Sequence, residues 1–501
     1  MRKIPSTMGS QHPDHASLPY WHNHEYITTH DETKETFLSY SELGIQEYKW
    51  DWEGKYVDES VIERLYSTYL DYFQKNPLGK DLFLTFRLPN PKVESEFRVG
   101  RSFMNILAAN GLAEMVGAPT PALFEVILPM TESAEEILAI QQAFKEMAGL
   151  KHKLYRFSEN GLKHIEVIPL FEQVQTIAHS DEILDEYLEL HKKEFGYKPE
   201  YLRPYTARSD PALNSGIIPT VLAIKIALSK YRRYEESHNI ALYPIIGTAA
   251  LPFRGGLTPY RVKQFVNEYQ GVRTALIQSA FRYDYPKEDV IKGLRELDEL
   301  LPKKKARFIS KKEEEKLQEI IKRAEAYYRP TVEGIALLIN TIAKQLPKRR
   351  ERVQHIGLFG YSRGVGSVKL PRAIGFTAAL YSIGVPPELI GTGRTLHDLM
   401  KNGTIEVLEK YYLNLRYDLE EAGRYVNKEV LDKLAVQSPI WNDIKEDVAG
   451  IEEYLRHEIG PKTKEDKQHQ AITGYIYAGL CIGNDITQDI QRAAVIRRSL
   501  G

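Results

Sequence analysis

Short apolar or β-branched runs recur along the chain, each closing on a polar or charged residue and each followed by a longer stretch of helical periodicity. They read DLFLTFRLPNP (81–91), LFEVILPMTES (123–133), IEVIPLFE (165–172), EYLRPYTARSD (200–210), ALYPIIGTAALPFRGG (241–256), TALIQSAFRYD (274–284) and HIGLFGYSRG (355–364). A more polar eighth is GIQEYKWDWEGK (44–55). Near-continuous apolar strands alternating with amphipathic helices predict a parallel sheet covered by helices. About eight such units predict an α/β chain folded as a (β/α)8 TIM-type barrel, in which the C-terminal end of each strand faces the active site. A doubly wound open sheet is the rival arrangement. From about residue 400 the strands stop, and segments such as IKEDVAGIEEYLRHE (444–458) read as helices. The expected organisation is a single domain over 1–501, with the barrel at about 40–400 and additional helices mainly at about 401–501.

Length sharpens this little, because 501 residues suit two to four domains as well as one enlarged barrel. With 43% apolar and 27% charged residues, the chain is too apolar to be disordered. Lys and Arg total 67 against 68 Asp and Glu, a net charge of −1 that argues against coating nucleic acid or an anionic membrane. One cysteine, Cys481, excludes an intramolecular disulfide and a cysteine-based zinc cluster. No apolar run approaches the ~18 residues of a spanning helix, and MRKIPSTMGSQHPDH lacks the apolar core of a secretion signal. The expectation is a cytoplasmic protein with no nucleic-acid or membrane partner. Two basic segments, KKKAR (303–307) and KRRER (348–352), flank a helical stretch and read as a solvated face.

The strand ends carry the chemistry. Arg87, Glu172, Asp210 with Arg208 beside it, Arg254, Gln278, Arg363 and Arg372 would converge on one barrel mouth. Two carboxylates among several arginines suit Mg²⁺ and a polyanionic substrate, since Mg²⁺ takes one or two carboxylates plus substrate oxygens. Guanidinium forks hold phosphate and carboxylate groups bidentately. The competing reading of each residue is an Arg–carboxylate tie that fixes a loop. His12, His15, His22, His24 and His30 crowd the amino-terminal segment, where a single proton-handling histidine is favoured over a metal cluster. His12 is the candidate, with Pro13 stiffening the turn and Asp14 placed to orient the ring. Gly360-Tyr361-Ser362-Arg363-Gly364 matches the nucleophile elbow of α/β-hydrolases, with Asp398 or Glu452 and His457 or His469 to complete a triad. That alternative leaves Glu172, Asp210 and the arginines unexplained.

Taken together, SQHPD (10–14), WDWEGK (50–55), TFRLPNP (85–91), FEVILPM (124–130), VIPLFE (167–172), ARSDPALN (207–214), PFRGG (252–256), LFGYSR (358–363) and LPRAIGFTAALYS (370–382) form an ordered set. In these the chain resembles the archaeal-type phosphoenolpyruvate carboxylases, a compact class found in archaea and some bacteria. The resemblance implies a Mg²⁺- or Mn²⁺-dependent carboxy-lyase on a (β/α)8 barrel, a homotetramer that forms oxaloacetate and phosphate from phosphoenolpyruvate and bicarbonate. Carboxyphosphate and a metal-stabilised enolate would be the intermediates, and anaplerotic carbon fixation the purpose. By similarity to the motifs of the larger bacterial and plant class, His12, Arg254 and Arg363 would be catalytic. Arg87, Arg372 and Gln278 would bind substrate, Glu172 and Asp210 would hold the metal, and the Arg254-Gly255-Gly256 turn would serve as a lid element. Tyr283 matches a further position of that class. His15 departs from the asparagine common in the family, and IRRSLG (496–501) lacks the asparagine through which the larger class binds an inhibitory amino acid. A third reading, a non-catalytic anion-binding barrel, needs the arginines but neither the metal ligands nor the base.

Overall fold

A computed structural model describes residues 3–55, 57–94, 96–118, 121–152, 155–156, 162–350, 363–365 and 368–501. Eight strands form the barrel: β1 (Thr7–Ser10), β2 (Glu47–Asp51), β3 (Phe83–Arg87), β4 (Glu125–Leu128), β5 (Glu166–Phe171), β6 (Tyr205–Thr206), β7 (Ile245–Ile246) and β8 (Thr274–Ile277). Each pairs in parallel with its sequence neighbours, and β8 returns to β1 with Thr7 opposite Ala275 and Gly9 opposite Ile277. The sheet is closed, as the run pattern predicts, and the open-sheet rival is excluded.

A helix follows every strand, as parallel connections require. These are α1 (Thr29–Ser41), α2 (Val61–Lys75), α3 (Glu96–Met115), α4 (Ala134–Ala148), α5 (Ser180–Phe195), α6 (Ile217–His238), α7 (Val262–Glu268) and α8 (Lys287–Leu300). Local sequence sets their ends. Thr28 accepts the Asp31 backbone N–H while Asp31 accepts that of Thr28, a capping box that starts α1. Gly196, at φ 82°, ends α5 in the left-handed conformation.

The strand side chains divide by alternation. Met8, Ile127, Ile168, Leu170, Tyr205 and Leu276 belong to a small core inside the barrel, whereas Trp50, Trp52 and Phe86 join the larger core between strands and helices. Below the inner core, Arg203 donates to Glu47 Oε2 at 2.7 Å and to Glu125 Oε2 at 2.8 Å, which closes the amino-terminal end with a buried ion cluster.

One predicted strand is not among the eight described strands of the barrel. Of HIGLFGYSRG, the part through residue 362 lies outside the described residues, and Arg363–Val365 pairs antiparallel with Val368–Leu370, apart from the barrel. The place in the wall belongs to TMGS of β1, which is too short and too small-sided to register as an apolar run. The barrel wall thus draws on the chain from Thr7 to Ile277, whereas the pattern began it near residue 40.

Helices fill the remainder: α9 (Lys311–Ala343), α10 (Ala373–Ser382), α11 (Thr392–Lys401), α12 (Trp441–Leu455), α13 (Lys464–Ile482) and α14 (Thr487–Arg497). The axes of α11 and α12 approach closely because glycines face each other. A Cβ on Gly393 would fall 1.8 Å from Asp447 O, and one on Gly450 2.3 Å from Gly393 O. Arg394 then clasps Asp447 and Asp443, each at 2.9 Å. Among the described residues, no helix is long and apolar enough to cross a membrane.

Candidate active site

A cavity of about 660 Å³ opens at the C-terminal ends of the strands. His12, Arg87, Glu172, Asp210, Arg254, Gln278 and Arg372 all line it, so seven of the eight site residues expected from sequence meet in one space. The eighth is Arg363, whose side chain lies outside the described residues.

His12 follows β1 directly. A 2.8 Å hydrogen bond joins its Nδ1 to Ser10 Oγ, which leaves Nε2 as the ring nitrogen for proton transfer. Enclosure by protein pushes its pKa well below the ordinary value, and the nearby Lys49 ammonium adds to the effect. The ring is therefore neutral at neutral pH, as a proton acceptor must be. Asp14 does not orient it. That carboxylate accepts from the Ala280 backbone at 2.9 Å and Ser279 Oγ at 3.0 Å, and stands 3.6 Å from Arg254. The backbone after Pro13 turns Asp14 away from the ring and towards the start of the segment following β8.

Arg87 ends β3. It pairs with Asp51 Oδ1 at 2.7 Å, directly across the register on β2, and with Glu53 Oε2 at 2.6 Å. Burial depresses its pKa, but Asp51, Glu53 and Glu172 outweigh that and hold it well above the usual arginine value. Arg372, partly exposed at 42%, reaches the same Glu53 at 3.4 Å from the amino-terminal end of α10. Glu53 therefore holds both guanidinium groups in place from one side.

Arg254 is fully buried in a tight turn. Nη2 donates to Gln278 Oε1 at 2.7 Å, Nε to Ser209 Oγ at 3.1 Å and Nη1 to Gly501 O. The turn is fastened rather than loose, contrary to the lid role expected from its glycines. Arg208 donates to Phe253 O at 2.8 Å and Pro252 O at 3.2 Å, and Glu388 accepts the Phe253 N–H at 2.8 Å. Gly255, at φ 117°, would bring a Cβ within 2.7 Å of Thr248 Oγ1. The glycine serves close packing, not motion. Gln278 is thus a support for Arg254 as well as a wall residue. Tyr283 is absent from the lining and donates instead to Glu35 at 2.5 Å.

Glu172, after β5, and Asp210, after β6, are the two acidic residues of the lining. Two carboxylates with open space beside them fit the sparse protein ligation of Mg²⁺. Among the described residues no group of three or more His, Cys, Asp or Glu is gathered together.

Several wall residues escaped the sequence reading. KRRER was expected to be a solvated face, yet Arg349 and Arg350 are 2% and 4% exposed and line the cavity. Their neutralising carboxylates come from far along the chain: Glu25 for Arg349, and Glu35 at 2.6 Å for Arg350. Local charge density gives no hint of such distant pairing. The wall residue Lys49 was also missed, as were Asp51 and Glu53, which hold Arg87, although a signal was present. In EYKWDWE the charged residues alternate with Tyr48, Trp50 and Trp52, so that one face of the strand is aromatic and the other charged.

The hydrolase constellation finds no support. Ser362 lies outside the described residues; Asp398 accepts from Tyr327 at 2.6 Å, and Glu452 pairs with Lys428 at 2.7 Å. His457 and His469 are absent from the cavity lining.

A family model described as phosphoenolpyruvate carboxylase matches residues 4–501. A phosphoenolpyruvate carboxylase of Leuconostoc mesenteroides is 41% identical over 100% of this chain and 99% of its own length. One of Oenococcus oeni is 38% identical over 100% and 99%, and one of Metallosphaera sedula 36% identical over 100% of both chains.

Proposed function

The chain belongs to the phosphoenolpyruvate carboxylase family, and from that premise we propose that it is a carboxy-lyase that joins phosphoenolpyruvate and bicarbonate into oxaloacetate and phosphate. The observation that carries the reading is the convergence of His12, Glu172, Asp210, Arg87, Arg254 and Arg372 on one cavity.

Both substrates are anions, so their approach is repulsive until cations offset it. Arg87, Arg254 and Arg372 perform that task and align a bicarbonate oxygen with phosphorus, as Arg363 does in this reading. Attack forms a P–O bond to bicarbonate and breaks the P–O bond to the enol oxygen, giving carboxyphosphate and the enolate of pyruvate. His12 then takes the carboxyl proton of carboxyphosphate, whose C–O bond breaks to give CO₂ and inorganic phosphate. The enolate carbon attacks CO₂ and forms the new C–C bond. A Mg²⁺ or Mn²⁺ ion on Glu172 and Asp210 would supply Lewis-acid stabilisation of the negative charge on the enol oxygen. Enclosure matters, because water would protonate the enolate to pyruvate. Lys348, Arg349 and Arg350 line the same cavity, and in this reading they would limit the entry of water. The reading takes the whole of 1–501 as one catalytic unit, working as a cytoplasmic homotetramer.

The test is coupled detection of oxaloacetate from phosphoenolpyruvate. Turnover should require both bicarbonate and a divalent cation, and should stop on chelation. A folded protein that makes no oxaloacetate under those conditions removes the assignment.

A further inference from the structure

Where the cavity meets the inner barrel core it is lined by apolar Leu170, Tyr205, Ala207 and Leu276, and a cation from β2 joins them. That cation is Lys49, the central residue of β2, 1% exposed and yet part of the lining. Alternation along the strand separates it from its neighbours in role. Glu47 points the same way one step below and is taken up by Arg203; Asp51 points the same way one step above and is held by Arg87 at 2.7 Å. Lys49 shares the same Asp51 oxygen at a longer 3.3 Å, with the Glu53 charge as a more distant counterweight. On the adjacent strand the residue opposite Lys49 is Ser10, whose hydroxyl holds His12 Nδ1. Lys49 is near enough to His12 to depress its pKa.

A buried ammonium next to the base that shares its carboxylate partner with Arg87 is a cation that a further anion would stabilise. We propose that Lys49 is a catalytic residue that grips the bicarbonate-derived carboxylate and retains carboxyphosphate beside His12 until CO₂ is released. The proposal rests on the carboxylase reading and adds to it a residue for the second anion. Chemistry selects the group. A compact ammonium beside the inner barrel core reaches a small planar carboxylate, while the forked arginines of the wall suit the phosphoryl oxygens. The ammonium has a second effect through charge: it adds to the burial that keeps His12 neutral and so ready to accept the proton.

The experiment compares Lys49→Met, Lys49→Gln and Lys49→Arg with wild type, measuring phosphate release and oxaloacetate in parallel across a bicarbonate titration. Thermal midpoints establish that each variant is folded. Wild type should give one oxaloacetate per phosphate. The methionine variant should lose about 100-fold in kcat/KM for bicarbonate, the usual scale for removing one preorganised charge donor. Its oxaloacetate-to-phosphate ratio should fall, with pyruvate making up the difference, while KM for phosphoenolpyruvate changes far less. The arginine variant should recover part of the ratio. If the methionine variant does not fold, the glutamine variant bears the same expectation. A wild-type ratio and bicarbonate KM in a folded Lys49→Met or Lys49→Gln protein overturns the proposal, as does an equal loss for both substrates at unchanged ratio. Wild type that makes no oxaloacetate at all overturns the carboxylase reading itself, and this proposal with it.

Discussion

At the scale of single residues, the proposed mechanism separates groups that would do chemistry from groups that hold them. His12→Asn removes the proton acceptor but retains a polar side chain beside Ser10. Oxaloacetate formation should drop at least about 100-fold, in line with general-base loss, while phosphoenolpyruvate is still cleaved to pyruvate; normal oxaloacetate output would take His12 out of the mechanism. Glu172→Gln should raise the concentration of Mg²⁺ needed for half-maximal rate, and an unchanged metal titration would make Glu172 structural only. Glu388 belongs to the holding class. Burial lifts its carboxyl to about 7 while it accepts from the Phe253 N–H and, at 2.7 Å, from Tyr381. With a folded pKa above the unfolded value of about 4.5, the folded state retains the proton longer. Stability is therefore full at low pH and declines as pH rises through the window from about 4.5 to about 7. Glu388→Gln cannot ionise, so the variant should become more stable relative to wild type by about 2 kcal/mol on going from pH 5 to pH 8. Denaturant melts at the two pH values would show it, and parallel curves would refute it.

At the scale of elements, the helices that follow the barrel pack by backbone approach as much as by side-chain burial. Gly450→Ala would drive a methyl into the Gly393 carbonyl, so α11 and α12 must separate and Arg394 must loosen its hold on Asp447. The expected cost is about 3 kcal/mol, at the upper end for overpacking, read as a lowered melting temperature; an unaffected melt would mean that the contact yields freely. Much of this scale was legible in the sequence. Alternating apolar runs and helical stretches announce a closed α/β barrel because burial on both strand faces leaves a distinctive continuous pattern. The site was legible through its strand ends, since parallel topology brings every such end to one mouth. Legibility failed where the determining interaction is remote. TMGS is a strand only because β2 and β8 flank it, and Arg349 and Arg350 are buried only because Glu25, Glu32 and Glu35 wait more than three hundred positions away. Asp14 was misjudged for the same reason: adjacency in sequence to His12 was outweighed by Ser279, Ala280 and Arg254 in space.

At the scale of the molecule, the barrel has two unlike ends. The amino-terminal end is sealed by Arg203 against Glu47 and Glu125, while the opposite end keeps its cations facing a cavity. Arg203→Met should cost about 3–5 kcal/mol, because two carboxylates would be left buried without their cation. Activity per folded molecule should change little, and a selective loss of turnover would show that the two ends communicate. A net charge of −1 says nothing of this polarity, which exists only once the strands are assembled. The seam of the barrel has a bearing on how the protein is made. A nascent chain presents β1 to solvent first, yet the strand that completes it, β8, leaves the ribosome only after some two hundred and sixty further residues. Until then the edge of β1 is an unpaired template, open to wrong pairing or to chaperones, and His12 has no site to serve. The barrel therefore closes only once β8 has emerged, and Arg372 and Gly501, which complete the cavity and hold Arg254, follow later still.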